Sequence, residues 1–252
     1  MVGLIGGFLP GALGIGGGIV TVPLLVWFTG MDQRRAAATS LAAIVPTVVL
    51  GSIGYLAHHQ VDLVAALALA AGIVPGVLLG TRFLRVLPLR VLRWGFVGLL
   101  ILVAARLALV EIEPGGRIPL SPGWIALLVL VGIFAGMASG IFGIGGGTIM
   151  VPVLVAGFGA ADLIAKGTSL LAMIASSTVG TVANSRARLV DRPAALVVGA
   201  AGVVATYLGF LAALAMPQRV TILVFAVLLL ATAAQLSVHA IQLQRAGQAV
   251  SA

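Results

Sequence analysis

The 252-residue chain contains no cysteine, which excludes disulfide bonds, thiolate metal ligands and thiol catalysis. Charged residues are also scarce: Asp, Glu, Lys and Arg together make up 8% of the chain, whereas hydrophobic residues make up 61%. A chain of this composition has too few polar groups to cover the surface of a water-soluble globule. The sequence therefore predicts an all-α, polytopic membrane protein whose solvent is the lipid bilayer.

Acidic residues are the rarest charged class. There are six of them, and none lies in the middle of an apolar stretch, where proton relays and sodium sites usually place a carboxylate. This absence favours an anionic or neutral ligand over a cation. The 14 Lys and Arg residues fall in short clusters between apolar runs, without interleaved aromatic residues, which indicates membrane-side anchoring and argues against nucleic-acid binding. No pattern predicts a cofactor or a metal ion.

What the chain does contain is a duplication. The pentapeptide Gly14–Gly18 (GIGGG) recurs as Gly143–Gly147. At the same offset of 129 residues, 18 of the 49 positions from 14 to 62 are identical to their partners without a gap. The matches include Pro, Thr, Ser and Asp, so the low complexity of the chain does not explain them. We predict two membrane repeats, residues 1–113 and 114–252, within a single membrane domain.

Six apolar stretches are long enough to cross about 30 Å of hydrocarbon, three in each repeat. They are residues 36–57, 63–81, 89–109, 165–185, 193–215 and 220–240. A further stretch, residues 123–157, is too long for one crossing and is interrupted by its glycine cluster, and its counterpart is residues 1–28. Because glycine favours backbone outside the helical well, we predict that each of these two stretches is a hairpin of two shorter helices. Irregular backbone at membrane depth is tolerated where it lines an interior site or pathway.

The positive charges distinguish two topologies for the repeats. If each hairpin turns back, the repeats are inverted, and ten Lys and Arg residues share one side of the membrane against four on the other, Lys166 among the four. If each long stretch crosses once, the repeats are parallel and the split is eight against six. The positive-inside rule favours the first split. We therefore predict inverted repeats with both termini in the cytoplasm, a plan that recurs among transporters.

The two glycine clusters form the predicted binding site. A helix N-terminus exposes unpaired N–H groups and carries about half a positive charge, so it can bind an anion without a cationic side chain. If the second helix of each hairpin begins at its glycine cluster, two such ends face one interior cavity. Hydroxyls at the start of the following helices add donors for sulfonate, sulfite or carboxylate oxygens. The predicted binding residues are Gly14, Gly16, Gly17, Gly18, Thr39, Ser40, Gly143, Gly145, Gly146, Gly147, Thr168 and Ser169.

Each of these features also has a structural interpretation. Glycines allow close helix packing throughout membrane bundles, although three in a row exceed what one packing contact needs. Serine and threonine can bond the preceding turn of their own helix. Asp62 and Asp191 each precede an apolar stretch, which is typical of helix capping. Asn184, opposite Tyr55 in the alignment of the repeats, either lines a pathway near its cytoplasmic end or makes an ordinary interhelical hydrogen bond.

The ordered set of motifs resembles a known family. Each repeat has a glycine-rich start, residues 7–18 and 136–147, followed by Val-Pro and then by Thr-Ser-Leu. This set is similar to that of the sulfite exporter TauE/SafE family of bacterial and archaeal membrane proteins, over essentially the whole chain. The resemblance implies a plasma-membrane exporter of small sulfur-containing anions, such as sulfite, sulfoacetate or related organosulfonates. It also implies a role for both glycine clusters, for Thr39-Ser40 and for Thr168-Ser169.

Two alternatives to an exporter stay open on the sequence alone. Nothing in the sequence demonstrates alternating access, so a passive anion channel fits as well, and the same site suits a small carboxylate. Catalysis is not expected, because the three histidines lie near helix ends and the acids are not clustered. The expected partners are a small anion and the lipid bilayer, and the sequence also allows a homo-oligomer.

Overall fold

The structure, a computed structural model, describes residues 2–14, 16–108, 116, 118, 121–216, 220, 223–224, 226–227 and 229–238. These residues form ten α-helices and no β-strand. The helices are α1 (Val2–Leu13), α2 (Gly18–Thr29), α3 (Gln33–Ala57), α4 (Leu63–Val86), α5 (Leu89–Ala108), α6 (Pro122–Phe142), α7 (Gly147–Phe158), α8 (Asp162–Arg186), α9 (Arg192–Ala215) and α10 (Leu229–Val238). Five of them, α3, α4, α6, α8 and α9, are long and apolar enough to cross a membrane. The predicted all-α, multi-span fold class is confirmed.

The helices extend beyond several of the predicted apolar spans. Helix α3 begins at Gln33 rather than at residue 36, and α4 continues to Val86 rather than ending at residue 81. The extensions contain arginines, which a hydropathy criterion excludes but which a helix tolerates at its ends, where the side chains reach water. The last predicted span, 220–240, and the predicted joint between the repeats lie partly outside the described residues.

Both predicted breaks occur at the glycine clusters. Helix α1 ends at Leu13 and α2 begins at Gly18, while α6 ends at Phe142 and α7 begins at Gly147. Helices α2 and α7 have 12 residues each, a length of about 18 Å, which is too short to cross about 30 Å of hydrocarbon. Each cluster therefore joins two helices of a hairpin inside the bundle.

Helices α3 and α8, which are equivalent in the two repeats, run in opposite directions. A Cβ added to Gly51, in the second half of α3, would contact Leu170 in the first half of α8. A Cβ added to Gly180, in the second half of α8, would contact Leu41 in the first half of α3. The two helices are therefore antiparallel and cross near their middles.

Glycine stripes bring two further pairs of helices into backbone contact. Gly72 and Gly80 of α4 lie against the backbones of Val129 and Met137 of α6, so these two helices run parallel. Helices α1 and α9 pack in parallel in the same way at a second stripe. Small residues allow such close approach in membranes, where interhelical packing replaces the hydrophobic effect. For the glycines of these stripes, the packing interpretation holds.

The two ends of the bundle differ in charge, and apolar side chains surround it. The arginine side, where α3 begins and α8 ends, carries Arg34 and Arg35. The tyrosine side, where α3 ends and α8 begins, contains Tyr55. Between the ends, large apolar side chains face outward, and Leu67 and Leu196 are 70% and 73% exposed. Because such a surface is unfavourable in water, it is the surface that contacts lipid.

Candidate functional site

The two glycine loops adopt a backbone conformation that L side chains rarely adopt. In the first loop, residues 14–17, three glycines have φ between 69° and 74°, and in the second loop, residues 143–146, three have φ between 73° and 94°. Any other residue in the left-handed region costs roughly 1–2 kcal/mol. Gly17 and Gly146 are the N-cap residues of α2 and α7. The repeated glycines therefore allow the chain to reverse direction sharply at two places, each directly before the N-terminus of a helix.

The two loops lie against each other inside the bundle. A Cβ added to Gly18 would overlap the backbone of Gly143. The terminal methyl of Met173 fills the space beside both loops, because a Cβ added to either Gly16 or Gly145 would overlap it. Met173 is close to the middle of α8, the 25-residue helix from 162 to 186. The two breaks therefore share one interior position near the centre of a membrane-spanning helix.

The predicted serines hold the loops across the repeat boundary. Ser40 Oγ donates a hydrogen bond to the carbonyl oxygen of Gly143 at 3.0 Å. Ser169 Oγ donates to the carbonyl oxygen of Gly14 at 3.2 Å. Both serines are fully buried. In this conformation each hydroxyl donates its proton to a carbonyl oxygen in the loop of the other repeat.

The two predicted threonines form a second reciprocal pair of hydrogen bonds, with the turns that precede α4 and α9. Thr39 Oγ1 accepts a hydrogen bond from the N–H of Asp191 at 3.0 Å, and Thr168 Oγ1 accepts one from the N–H of Asp62 at 2.9 Å. Each aspartate side chain in turn accepts a bond from a backbone N–H in the first turn of the helix that follows it, α4 for Asp62 and α9 for Asp191. The predicted capping by these two residues is confirmed. The two serine bonds and the two threonine bonds therefore form two reciprocal pairs between the repeats.

The amides at the start of α7 are buried and have no acceptor among the described residues. Gly147 and Thr148 are buried, and none of the described residues accepts a hydrogen bond from either N–H. The hydroxyls of Thr148 and Ser139 also lack a partner in the described part of the chain. A helix end buried in this way is unusual, since unpaired N–H groups need water, a capping group or a ligand. At α2, the N–H of Gly18 bonds back to Gly16 within the loop.

Lys166, the only lysine in the sequence, is the residue that sequence reasoning missed. Its position at the end of an apolar stretch predicts a charge at the membrane edge, but its side chain is 1% exposed. Its stem packs on Gly14, and its Nζ lies 2.6 Å from Oδ2 of Asp162, one helical turn earlier. Buried lysines are rare unless paired. The signal in the sequence is the alignment of the repeats, in which this lysine is opposite Ala37, two residues before the threonine of Thr-Ser.

Comparison with known proteins identifies relatives along most of the chain. The family model described as "Sulfite exporter TauE/SafE" matches residues 1–107 and 128–251. The "Probable membrane transporter protein YunE" of Bacillus subtilis (strain 168) is 27% identical over 207 residues, which cover 73% of this chain and 76% of that protein. A "Probable membrane transporter protein" of Haemophilus influenzae is 32% identical over 167 residues, 62% of this chain and 61% of that protein. No solved structure gives a significant match.

Proposed function

The chain belongs to the sulfite exporter TauE/SafE family of membrane transporters, and we propose on this premise that it exports small sulfur-containing anions. The proposed substrates are sulfite, sulfoacetate and related organosulfonates. The charge distribution supports an anion. Among the described residues, the carboxylates of Asp32, Asp62 and Asp191 cap helix N-termini, and Asp162 is the first residue of α8. The carboxylate of Asp162 lies 2.6 Å from Nζ of Lys166, so this ion pair leaves no net negative charge there to repel an anion.

The observation that carries the proposal is the meeting of two glycine loops beside a buried lysine. A ligand at the junction would reach both loops, since Gly18 and Gly143 are in backbone contact. The helix N-terminus at Gly147 supplies amides aligned with the helix dipole. Lys166 supplies an ammonium group, which is paired with Asp162 in this conformation. Charge-assisted hydrogen bonds of this kind are the strong ones for oxyanions.

Met173 is the residue that the substrate would displace. Its methyl group occupies the space beside Gly16 and Gly145, so the junction is filled in this conformation. Methionine is unbranched and has three rotatable bonds, which lets it vacate such a space by changing rotamer. We assign it the role of a plug that keeps the empty site free of lipid and water.

The antiparallel course of α3 and α8 supports inverted topology of the two repeats in the membrane. Under the positive-inside rule, the arginine side is the cytoplasmic side. This orientation corresponds to a start of α1 on the cytoplasmic side of the plasma membrane, and we propose the same side for the C-terminus. Inverted repeats whose helix breaks meet near the midplane suit alternating access, in which one repeat rocks against the other around a fixed site.

Thermal unfolding of the purified protein in detergent tests the substrate class. Sulfite, sulfoacetate, taurine, sulfate, thiosulfate and lactate are each added at equal ionic strength. We expect an increase in Tm with the sulfur-containing anions, because a ligand that binds only the folded state stabilises it. A shift with lactate alone would instead identify a carrier of carboxylates.

Matched glycine variants test the site. Gly17→Ala and Gly146→Ala place a side chain at φ 74° and 94° in the loops, whereas Gly30→Ala and Gly159→Ala do so at φ 67° and 66°, where a Cβ has nothing within 4 Å. All four carry comparable backbone strain, so a lower Tm without ligand is common to them. Loss of the ligand-induced shift is expected in the loop variants alone. Retention of a wild-type shift in both loop variants would remove the loops from the site.

Counterflow in proteoliposomes separates a carrier from a passive channel. Vesicles preloaded with unlabelled substrate are diluted into labelled substrate, and a carrier accumulates label transiently while a channel only equilibrates it. Saturable flux with such an overshoot is the expected result. Linear, non-saturating flux without overshoot would replace the carrier with a channel.

A further inference from the structure

A basic cleft lies on the arginine side, between the start of α3 and the turn that joins α8 to α9. Its volume is about 440 Å³, and it is lined by Arg35, Ser185, Arg188, Val190, Asp191, Arg192 and Pro193. Three arginines against one aspartate make its net charge positive. A concave surface of one sign concentrates ions of the opposite sign.

Only one of the three arginines is neutralised. Asp191 Oδ1 accepts a hydrogen bond from the N–H of Ala194 at 3.1 Å, and its Oδ2 lies 3.5 Å from the guanidinium of Arg35. Arg188 and Arg192 have no ion-pair or side-chain hydrogen-bond partner among the described residues. Two guanidinium groups at one opening are therefore available to an oxyanion, which they can bind with charge-assisted hydrogen bonds.

The cleft continues toward buried polar groups of α8. An adjoining groove of about 430 Å³ shares Ser185, Val190 and Arg192 with the cleft. The rest of its lining is apolar except for Thr181, and it includes Leu196 on the lipid-facing surface. Asn184, beside Ser185, is fully buried, and neither its side-chain oxygen nor its nitrogen has a partner in the described part of the chain. The hydroxyl of Thr181 has none either. Buried polar groups cost free energy unless they are hydrogen-bonded, so these three atoms indicate contact with a polar ligand or with water.

In the other repeat, a tyrosine with both a hydrogen-bond partner and a packing partner occupies the position of Asn184. Tyr55, the counterpart of Asn184, donates a hydrogen bond from its hydroxyl to the carbonyl oxygen of Gly11 at 3.2 Å, and its ring packs on Phe210 with the centroids 4.8 Å apart. At the offset of 129 residues, the counterparts of Arg35, Ser185, Arg188 and Arg192 are Ile164, Leu56, His59 and Leu63. The fold therefore does not require the basic cleft or the small polar residue behind it.

We propose that the basic cleft is an access site for the transported anion. A sulfonate or similar oxyanion binds Arg188 and Arg192 there and then passes Thr181 and Asn184 on its way to the glycine loops. The identity of the anion rests on the proposed function. The phosphate of an anionic lipid headgroup has the same chemistry, and we assign the cleft to the free anion.

Cysteine labelling tests the cleft, because the sequence has no cysteine of its own. Ser185→Cys places a thiol in the cleft, and Leu56→Cys places one at the equivalent position of the other repeat. Each variant, reconstituted in neutral phosphatidylcholine vesicles permeable to the reagents, is modified by an anionic and by a cationic methanethiosulfonate. We expect the ratio of the modification rate by the anionic reagent to that by the cationic reagent to be about tenfold higher at Ser185→Cys than at Leu56→Cys. Adding Arg192→Gln to Ser185→Cys should abolish most of this difference. Sulfoacetate should slow the cleft reaction, whereas choline at equal ionic strength should not.

Equal rate ratios at the two cysteines would overturn the proposal. The proposal would also be overturned if sulfoacetate in neutral vesicles fails to protect the thiol of Ser185→Cys while added phosphatidylglycerol does protect it. The occupant of the cleft is then a lipid headgroup. Neither measurement depends on transport. Absence of sulfonate flux together with a selective, anion-protected cleft would therefore reject the proposed substrate and leave the access site in place.

Discussion

Lys166→Met and Asp162→Asn break the same ion pair, yet we expect different effects. Asp162→Asn should lower stability more, whereas Lys166→Met should weaken anion binding more. Asp162→Asn leaves an ammonium group that is 1% exposed without its partner, and removal of one member of a buried pair costs about 3–5 kcal/mol. Lys166→Met leaves a carboxylate that is 12% exposed at the first turn of α8, where the helix dipole favours it. The expected loss there is smaller, about 1–3 kcal/mol. The double variant has no unpaired charge and should be close to the wild type in stability.

The affinity for the anion should depend on the presence of Lys166 and not on the stability of the variant. A hydrogen bond to a charged group contributes about 1.5–3 kcal/mol, so we expect Lys166→Met to weaken sulfonate binding by about 10- to 100-fold. The double variant should be weakened equally although it is stable. Asp162→Asn removes the competitor for the ammonium group, so its affinity should equal or exceed that of the wild type.

Titration of Tm and of bound ligand in detergent measures both quantities on the same samples. A role of Lys166 in anion binding is refuted if Lys166→Met and the double variant bind sulfonate with wild-type affinity, because the lysine is then only a structural partner of Asp162. It is also refuted if Asp162→Asn loses affinity as strongly as Lys166→Met, since stability and binding then change together.

Five further substitutions test the arrangement around the loops. Ser40→Ala and Ser169→Ala should each lower the free energy of unfolding by about 1–3 kcal/mol, because each leaves a buried carbonyl without its donor, and a cost in one serine alone would contradict the reciprocal bonding. Met173→Ala should cost about 2–5 kcal/mol by leaving a cavity between the loops, and an unchanged Tm would show that the side chain does not fill that space. Asp62→Ala should cost about 1 kcal/mol through loss of a helix cap, as should Asp191→Ala, and thermal unfolding that is insensitive to either would contradict the observed capping bonds.

The helix breaks were predictable because their cause is local. Three glycines in a row have a strong preference for non-helical backbone, and that preference is a property of the residues themselves. The same holds for Asp62 and Asp191, whose side chains cap the helix that directly follows them. Apolar length is equally local, which is why most predicted spans coincide with helices to within a few residues. Errors at helix ends arose where arginines extend a helix beyond its apolar part.

The hydrogen-bond partners of the hydroxyl groups were not predictable in the same way. Thr39 and Ser40 could equally well have bonded their own helix, lined a site or reached another segment, and the choice depends on which helix lies opposite. Their partners, Asp191 and Gly143, are 152 and 103 residues away in the chain. Only the packing of one repeat against the other brings these groups together.

By itself the sequence determined a membrane protein of two repeats, each with a glycine break that stops one helix and starts the next. These features follow from composition, hydrophobic length and backbone preference, which act between near neighbours in the chain. The tertiary structure decided that the two breaks touch, that Met173 fills the space beside them and that Lys166 is buried at the first loop. Burial and contact depend on which surfaces of distant helices meet, and that information is not contained in any single stretch of the chain.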